Sequence, residues 1–96
     1  MMVLVTYDVD TTSKEGARRL RRVAKECVNY GHRVQNSVFE CVLTEAQFVL
    51  IKNKLLNIID AKLDNIRFYF LGDNWQRRVE TLGNSPNFDV TASLII

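Results

Sequence analysis

The feature that most constrains this chain is its opening run, Met2-Val-Leu-Val-Thr-Tyr-Asp-Val-Asp10, apolar and β-branched until it ends in two carboxylates. Such a run reads as a strand carrying acid at its C-terminal end. Successive side chains point to opposite faces of a strand, so Val3, Val5, Tyr7 and Val9 share one face while Leu4, Thr6, Asp8 and Asp10 share the other. If the valine face packs under helices, Asp8 lies on the opposite face near the end of the sheet, where only solvent or a second subunit can cover it. Tyr7, on the valine side, is then a core residue.

A chain of 96 residues is one domain, long enough for a single two-layer core. Its hydrophobic content of 47% and charged content of 25% argue against disorder. The net charge of +2 says little, but the basic residues gather in the first third, so a local basic surface can exist on a nearly neutral protein. No run has the length of a membrane span, and the opening lacks a charged leader region and a small-residue cleavage site, so the expectation is a cytoplasmic protein. Cys27 and Cys41 form no C-x-x-C pair and have no cluster of histidines beside them, which favours buried free thiols over a metal or redox site.

Thr12-Ser-Lys-Glu15 matches a capping box and predicts a helix from about Ser13. At about 100° per residue, Ala17, Leu20, Val23, Ala24 and Cys27 fall on one side and Lys14, Arg18, Arg21, Arg22 and Lys25 on another, with Arg19 apart from that basic stripe. Gly31 would supply a left-handed residue to end the helix at about Tyr30. His32–Gln35 and Val38–Leu43 read as a hairpin closed by Asn36-Ser37, Asn tolerating the positive φ of a tight primed turn. Thr44-Glu-Ala-Gln47 is a second capping box, opening a helix to about Ala61 with Phe48, Ile51, Leu55 and Ile58 on its main apolar stripe. Val49, Leu50, Leu56 and Ile59 broaden that stripe, which suggests burial on more than one side. Asn65–Leu71 alternates as a further strand, Ile66, Phe68 and Phe70 against Arg67 and Tyr69, and Gly72-Asp-Asn74 ends it.

The order strand, helix, strand, strand, helix, strand predicts an α+β, ferredoxin-like βαββαβ sandwich with both helices on one face of a four-stranded antiparallel sheet. No element is left to cover the other face, and a homodimer packed sheet to sheet would cover it. Arg77–Leu82 and Phe88–Ile96 both have strand character. The expected division is a ferredoxin-like domain over 1–82 and an apolar tail over 83–96, an additional C-terminal strand that adds to the partner subunit's sheet.

A basic stripe with no interleaved acid repels itself unless something anionic neutralises it. Nucleic-acid phosphate does so with release of counterions, and Arg77 and Arg78 could extend the contact. Little aromatic interleaving accompanies the stripe, so sequence reading by base stacking is not indicated. Asp10 reads as a residue at the helix entrance, favoured by the positive end of the helix dipole. His32 is set aside as a general base, since no Ser or Cys nucleophile stands at a recognisable spacing from it.

Taken together, Val5-Thr-Tyr-Asp-Val9, the Arg-rich Arg18-Arg-Leu-Arg-Arg-Val23 and Tyr30-Gly-His-Arg-Val-Gln-Asn-Ser-Val-Phe-Glu-Cys41 resemble the CRISPR-associated protein 2 family over nearly the whole chain. The resemblance implies a ferredoxin-like homodimer with metal-dependent endonuclease activity on RNA or duplex DNA. It also implies work beside the integrase CRISPR-associated protein 1 during spacer acquisition. On this basis Asp8 is the metal-binding and catalytic acid, and Arg33 and Phe39 match positions associated with nuclease activity. Asp10 has no secure counterpart. One acid per chain is a thin site, but Mg²⁺, or Mn²⁺ in its place, keeps several waters and needs only one or two carboxylates. Two-fold symmetry would supply the second Asp8. The rival reading is a non-catalytic dimeric scaffold that holds duplex DNA and joins two integrase units. A ribonuclease toxin on a similar fold fits the S-V-F-E-C stretch less well.

Overall fold

The computed structural model of this chain describes residues 1–83, and the alternation of the opening strand is realised in it. Strand β1 (Met2–Asp8) buries Val3, Val5 and Tyr7 on one face, leaves Leu4 and Thr6 half-buried on the other, and exposes Asp8. Met2 is buried as well, because the pairing slips between Met2 and Val3. Such an irregularity re-aims the residue that it displaces. The chain continues as α1 (Lys14–Cys27), β2 (Gly31–Gln35), β3 (Val38–Val42), α2 (Glu45–Ile58), β4 (Asn65–Gly72) and a 3₁₀ turn, Trp75–Arg77. The sheet runs β2-β3-β1-β4 with every pairing antiparallel. This is the expected ferredoxin-like βαββαβ order, with β1 and β3 in the centre.

Both helices pack on the valine face. Val23, Ala24 and Cys27 of α1 and Ile51 and Leu55 of α2 form one cluster with Val3, Val5, Tyr7, Phe39, Cys41 and Leu43. Each fully buried Val, Leu, Ile or Phe contributes roughly 1.5–3 kcal/mol, so this cluster is the main source of stability. Phe48 sets its ring edge-on against Phe68 and Phe70, 5.1 Å from each, and so ties α2 to β4. Val49, Leu50 and Leu56 stay exposed, so within one chain the broad apolar surface of α2 is buried on one side only. Cys27 and Cys41 are free and buried, as expected.

Several boundaries differ from the sequence reading for local reasons. The cap of α1 is Ser13, whose Oγ accepts from the Gly16 amide at 2.9 Å, one residue later than Thr12. Thr12 is already engaged: its amide and hydroxyl both donate to Asp10 Oδ1, at 2.9 and 2.6 Å. An Asx turn at the helix entrance thus displaces the capping box. Helix α1 ends at Cys27, and Gly31 has no left-handed φ. Gly31 pairs with Cys41, and a Cβ there would lie 1.8 Å from the Glu40 carbonyl oxygen, so close approach of β3 is what demands glycine. The hairpin closes at Asn36-Ser37 without positive φ. A register shift between Arg33 and Gln35 stands in for the primed turn, and Arg33 Nε and Nη2 donate to the Asn36 carbonyl at 2.8 and 2.6 Å.

The capping box of α2 forms as expected, with Thr44 and Gln47 exchanging bonds of 2.9 and 3.1 Å. That helix stops at Ile58, because Ile59 is extended and Asp60 starts a turn of its own. Gly72, at φ 76°, turns the chain out of β4. The strand expected over Arg77–Leu82 is not formed. Residues from Trp75 wind into the 3₁₀ turn instead, and Arg78 Nη1 donates to the Leu71 carbonyl at 3.1 Å. The strand expected over Phe88–Ile96, and with it the partner-exchange tail, lies outside the described residues. Among the described residues no helix is long and apolar enough to cross a membrane.

Candidate active site and nucleic-acid face

Asp8 closes β1 on the face that, among the described residues, no helix covers. Its partner across β4 is Asn65, and the pairs Thr6 with Arg67 and Leu4 with Tyr69 follow along the same two strands. Alternation therefore sets Asp8, Thr6, Arg67 and Tyr69 side by side, along a shallow groove of about 320 Å³ that also takes in Ser37 and Val38 from the hairpin. Asp8 is exposed, and its carboxylate accepts no hydrogen bond among the described residues. Arg67 Nη1 donates to the Tyr69 hydroxyl at 3.4 Å. That hydrogen bond, with a smaller contribution from the Asp8 charge, holds the Arg67 guanidinium above its ordinary pKa. The sequence sets Arg67 and Tyr69 opposite Ile66, Phe68 and Phe70, and the pairing with β1 brings them to Asp8.

Behind Asp8, on the helix side, β1 is anchored. The Tyr7 hydroxyl donates to Asp64 Oδ2, and Arg19 grips the same carboxylate through Nε at 2.7 Å and Nη2 at 3.1 Å. The Asp60 amide adds a further bond at 3.0 Å. The Asp64 side chain is 1% exposed and that of Arg19 is 16%, so this fork-shaped ion pair is partly shielded from solvent. Burial alone would raise the Asp64 pKa, but Arg19, Tyr7 and the Asp60 amide outweigh it and hold the carboxyl below its usual value. Tyr7 is pushed up to about 12, first by burial and then by its bond to Asp64. Arg19 stands off the basic stripe because it serves this cluster. The backbone bearing Asp8 is thereby pinned to α1 and to the α2–β4 connection.

The other residues singled out by the sequence do not converge on Asp8. Phe39 lies opposite Val5, and Arg33 opposite Phe39, so both belong to the helix side of the sheet. Phe39 is fully buried, and the Arg33 guanidinium stands 5.7 Å over its ring. Phe39 is thus a core residue of one chain, and its ring seats Arg33. Lys14, Arg18, Arg21, Arg22 and Lys25 are all exposed on α1, on the far side of the sheet from the Asp8 groove. Arg77 and Arg78 are exposed beyond the Gly72 end of β4, which pairs with Met2 and so lies at the opposite end of the sheet from Asp8. Among the described residues no three His, Cys, Asp or Glu side chains gather to hold a metal, and one chain presents Asp8 alone.

Comparison with known proteins decides the family. The model of the family described as CRISPR associated protein Cas2 matches residues 1–79. The chain belongs to the Cas2 family. It is 58% identical to the CRISPR-associated endoribonuclease Cas2 of Chlorobaculum tepidum over 96 residues, all of both chains. It is 50% identical to the CRISPR-associated endonuclease Cas2 of Halalkalibacterium halodurans, over 99% of each. Among solved structures, Streptococcus pyogenes Cas2 at pH 6.5 superposes with a TM-score of 0.81 and 70% identity, covering 86% of this chain and 100% of that one. The range matched to the Cas2 model holds Asp8, Arg33, Phe39, the α1 stripe, Arg77 and Arg78.

Proposed function

We propose that this chain is a metal-dependent endonuclease of CRISPR systems, acting as a homodimer in which Asp8 of each copy flanks one Mg²⁺ or Mn²⁺ ion. The observation that carries the reading is the open sheet face, where an exposed carboxylate without a hydrogen-bond partner among the described residues sits beside Arg67 and Tyr69. Two-fold pairing of that face sets one Asp8 against another. Two carboxylates so placed repel each other unless a cation lies between them, and their oxygens suit a hard divalent ion. When bound, the ion supplies Lewis-acid stabilisation of a phosphoryl oxygen and a more acidic water. Arg67 is placed to neutralise a phosphate next to the one attacked, and Tyr69 holds the guanidinium in position. The names of the relatives, endoribonuclease and endonuclease, support hydrolysis of a phosphodiester in RNA or duplex DNA.

The cations of α1, with Arg77 and Arg78, hold the nucleic-acid backbone without reading sequence. Residues 1–82 carry the nuclease. The protein works in the cytoplasm beside the CRISPR-associated protein 1 integrase during spacer acquisition. One observation favours a second reading, a non-catalytic DNA-binding scaffold joining integrase units: the stripe and Asp8 lie on opposite sides of the sheet, so the phosphate contacts do not converge on the acid. The two readings part at Asp8.

Cleavage of linear duplex DNA and of single-stranded RNA is to be compared for wild type and Asp8→Ala, each shown by light scattering to be a dimer, with Mg²⁺ and with chelator. Cleavage abolished by both Asp8→Ala and chelation is the expected result, and the substrate cut identifies the polymer. Equal behaviour of the two proteins would leave the scaffold.

A further inference from the structure

A second cleft, of about 400 Å³, opens on the helix side between α1 and the Asn36-Ser37 turn. Val9 and Leu20, which pack against the core, line it together with Ala17 and provide an apolar surface. Arg21 from α1 and Arg33 from β2 line it too, and among the described residues no carboxylate does. The nearest acid in sequence, Asp10, has its Oδ1 engaged by Thr12. Arg33 is already ordered, held by the Asn36 carbonyl and seated on the Phe39 ring, and it spends two N–H groups there. A guanidinium carries five, so three remain for an anion, with little further ordering to be lost. Asn36, Ser37 and Thr11 add amide and hydroxyl groups that both donate and accept.

Two arginines free of lining acid select a phosphate, the apolar surface selects a planar ring, and mixed donors and acceptors suit a base edge. The volume falls within the roughly 300–1,000 Å³ of small-ligand pockets and is far too small for a duplex. We infer that this cleft binds a single nucleotide unit, its phosphate between Arg21 and Arg33 and its base on Val9, Ala17 and Leu20. Ser37 lines this cleft and the Asp8 groove alike, so a nucleic-acid chain ending in the cleft passes over the Asn36-Ser37 turn toward the other face. The inference does not depend on cleavage at Asp8.

The test is binding of adenosine 5′-monophosphate, adenosine and inorganic phosphate to the full-length protein, followed by chemical shifts of the Thr11, Ala17 and Ser37 amides. The mononucleotide is expected to bind about tenfold more tightly than either fragment, and Arg21→Gln to lose about that factor, the worth of one charge-assisted contact. Ala17→Phe, which fills the cleft without touching a charge, is expected to abolish binding while the thermal midpoint holds. Asp8→Ala is expected to bind as wild type does. Displacement by a 5′-phosphorylated oligonucleotide would show a chain end as the source and its failure a free nucleotide; both uphold the site. Binding that survives Ala17→Phe, or that Asp8→Ala removes, would overturn it.

Discussion

Asp64 and Asp8 are the same side chain placed on opposite faces of one sheet. The Asp64 side chain is shielded from solvent and takes bonds from Arg19, Tyr7 and the Asp60 amide, while Asp8, one residue along from Tyr7, is exposed and engaged by none of these. A carboxylate whose lone pairs are spent inside the protein holds structure together. One whose lone pairs are left to solvent at a strand end is available to a cation. The contrast separates a structural face, with its core and paired charges, from an open face with chemistry to offer.

The largest effect expected is on stability, at Asp64. Asp64→Ala leaves Arg19 and the Tyr7 hydroxyl without their shared acceptor and should cost about 1–3 kcal/mol in urea unfolding, the usual result of leaving part-buried donors unpaired. Replacing Arg19 and Asp64 together by Met and Leu should recover much of it, and a double loss as large as the single one would mean that packing, not charge, is at stake. Acid sharpens the comparison. Asp64 titrates below its ordinary value of 3.8, so its contribution is present above that value and lost as pH falls through the lower folded one. Wild type should therefore weaken below about pH 4, and Asp64→Asn less so.

Tyr7 gives the opposite sign. Raised from 10.0 to about 12, its contribution is complete below pH 10 and lost as pH rises through about 12. Tyr7→Phe should flatten the alkaline limb of the stability curve. Smaller still is the expected change along α1. Each of Arg18, Arg21 and Arg22 neutralised should take about 0.9 from the salt-dependence slope of duplex binding, uniformly across sequences. An unchanged slope would remove the stripe from the interface.

How much of this was legible in the chain depended on range. Alternation along β1 and β4 and the spacing of α2 are local signals, and they placed the core, the hairpin and the exposed acid. The capping box at Thr12 failed because Asp10, two residues back, offers that side chain a competing bond. The left-handed position predicted at Gly31 failed because the constraint comes from β3, across the hairpin. Arg19 gave a hint by standing off the stripe, yet Asp64, 45 residues away, could be joined to it only by the fold. Arg33 and Phe39 were matched to nuclease positions by resemblance alone, and their place on the face opposite Asp8 comes from cross-strand register, invisible in a single sequence. The strand predicted for Arg77–Leu82 had strand-forming residues but no sheet partner among the described residues, and the 3₁₀ turn Trp75–Arg77 runs into its start.

The division between the two faces is tested most directly by measuring cleavage and unfolding free energy on the same preparations of Asp8→Ala and Asp64→Asn. Asp8→Ala should lose more than about 100-fold in cleavage, beyond what the loss of an outer-shell metal partner costs, with stability within about 0.5 kcal/mol of wild type. Asp64→Asn should lose stability and, where it is still folded, keep its cleavage rate. An Asp8→Ala protein that cuts as wild type does, or an Asp64→Asn protein that is fully stable yet inactive, would contradict the account.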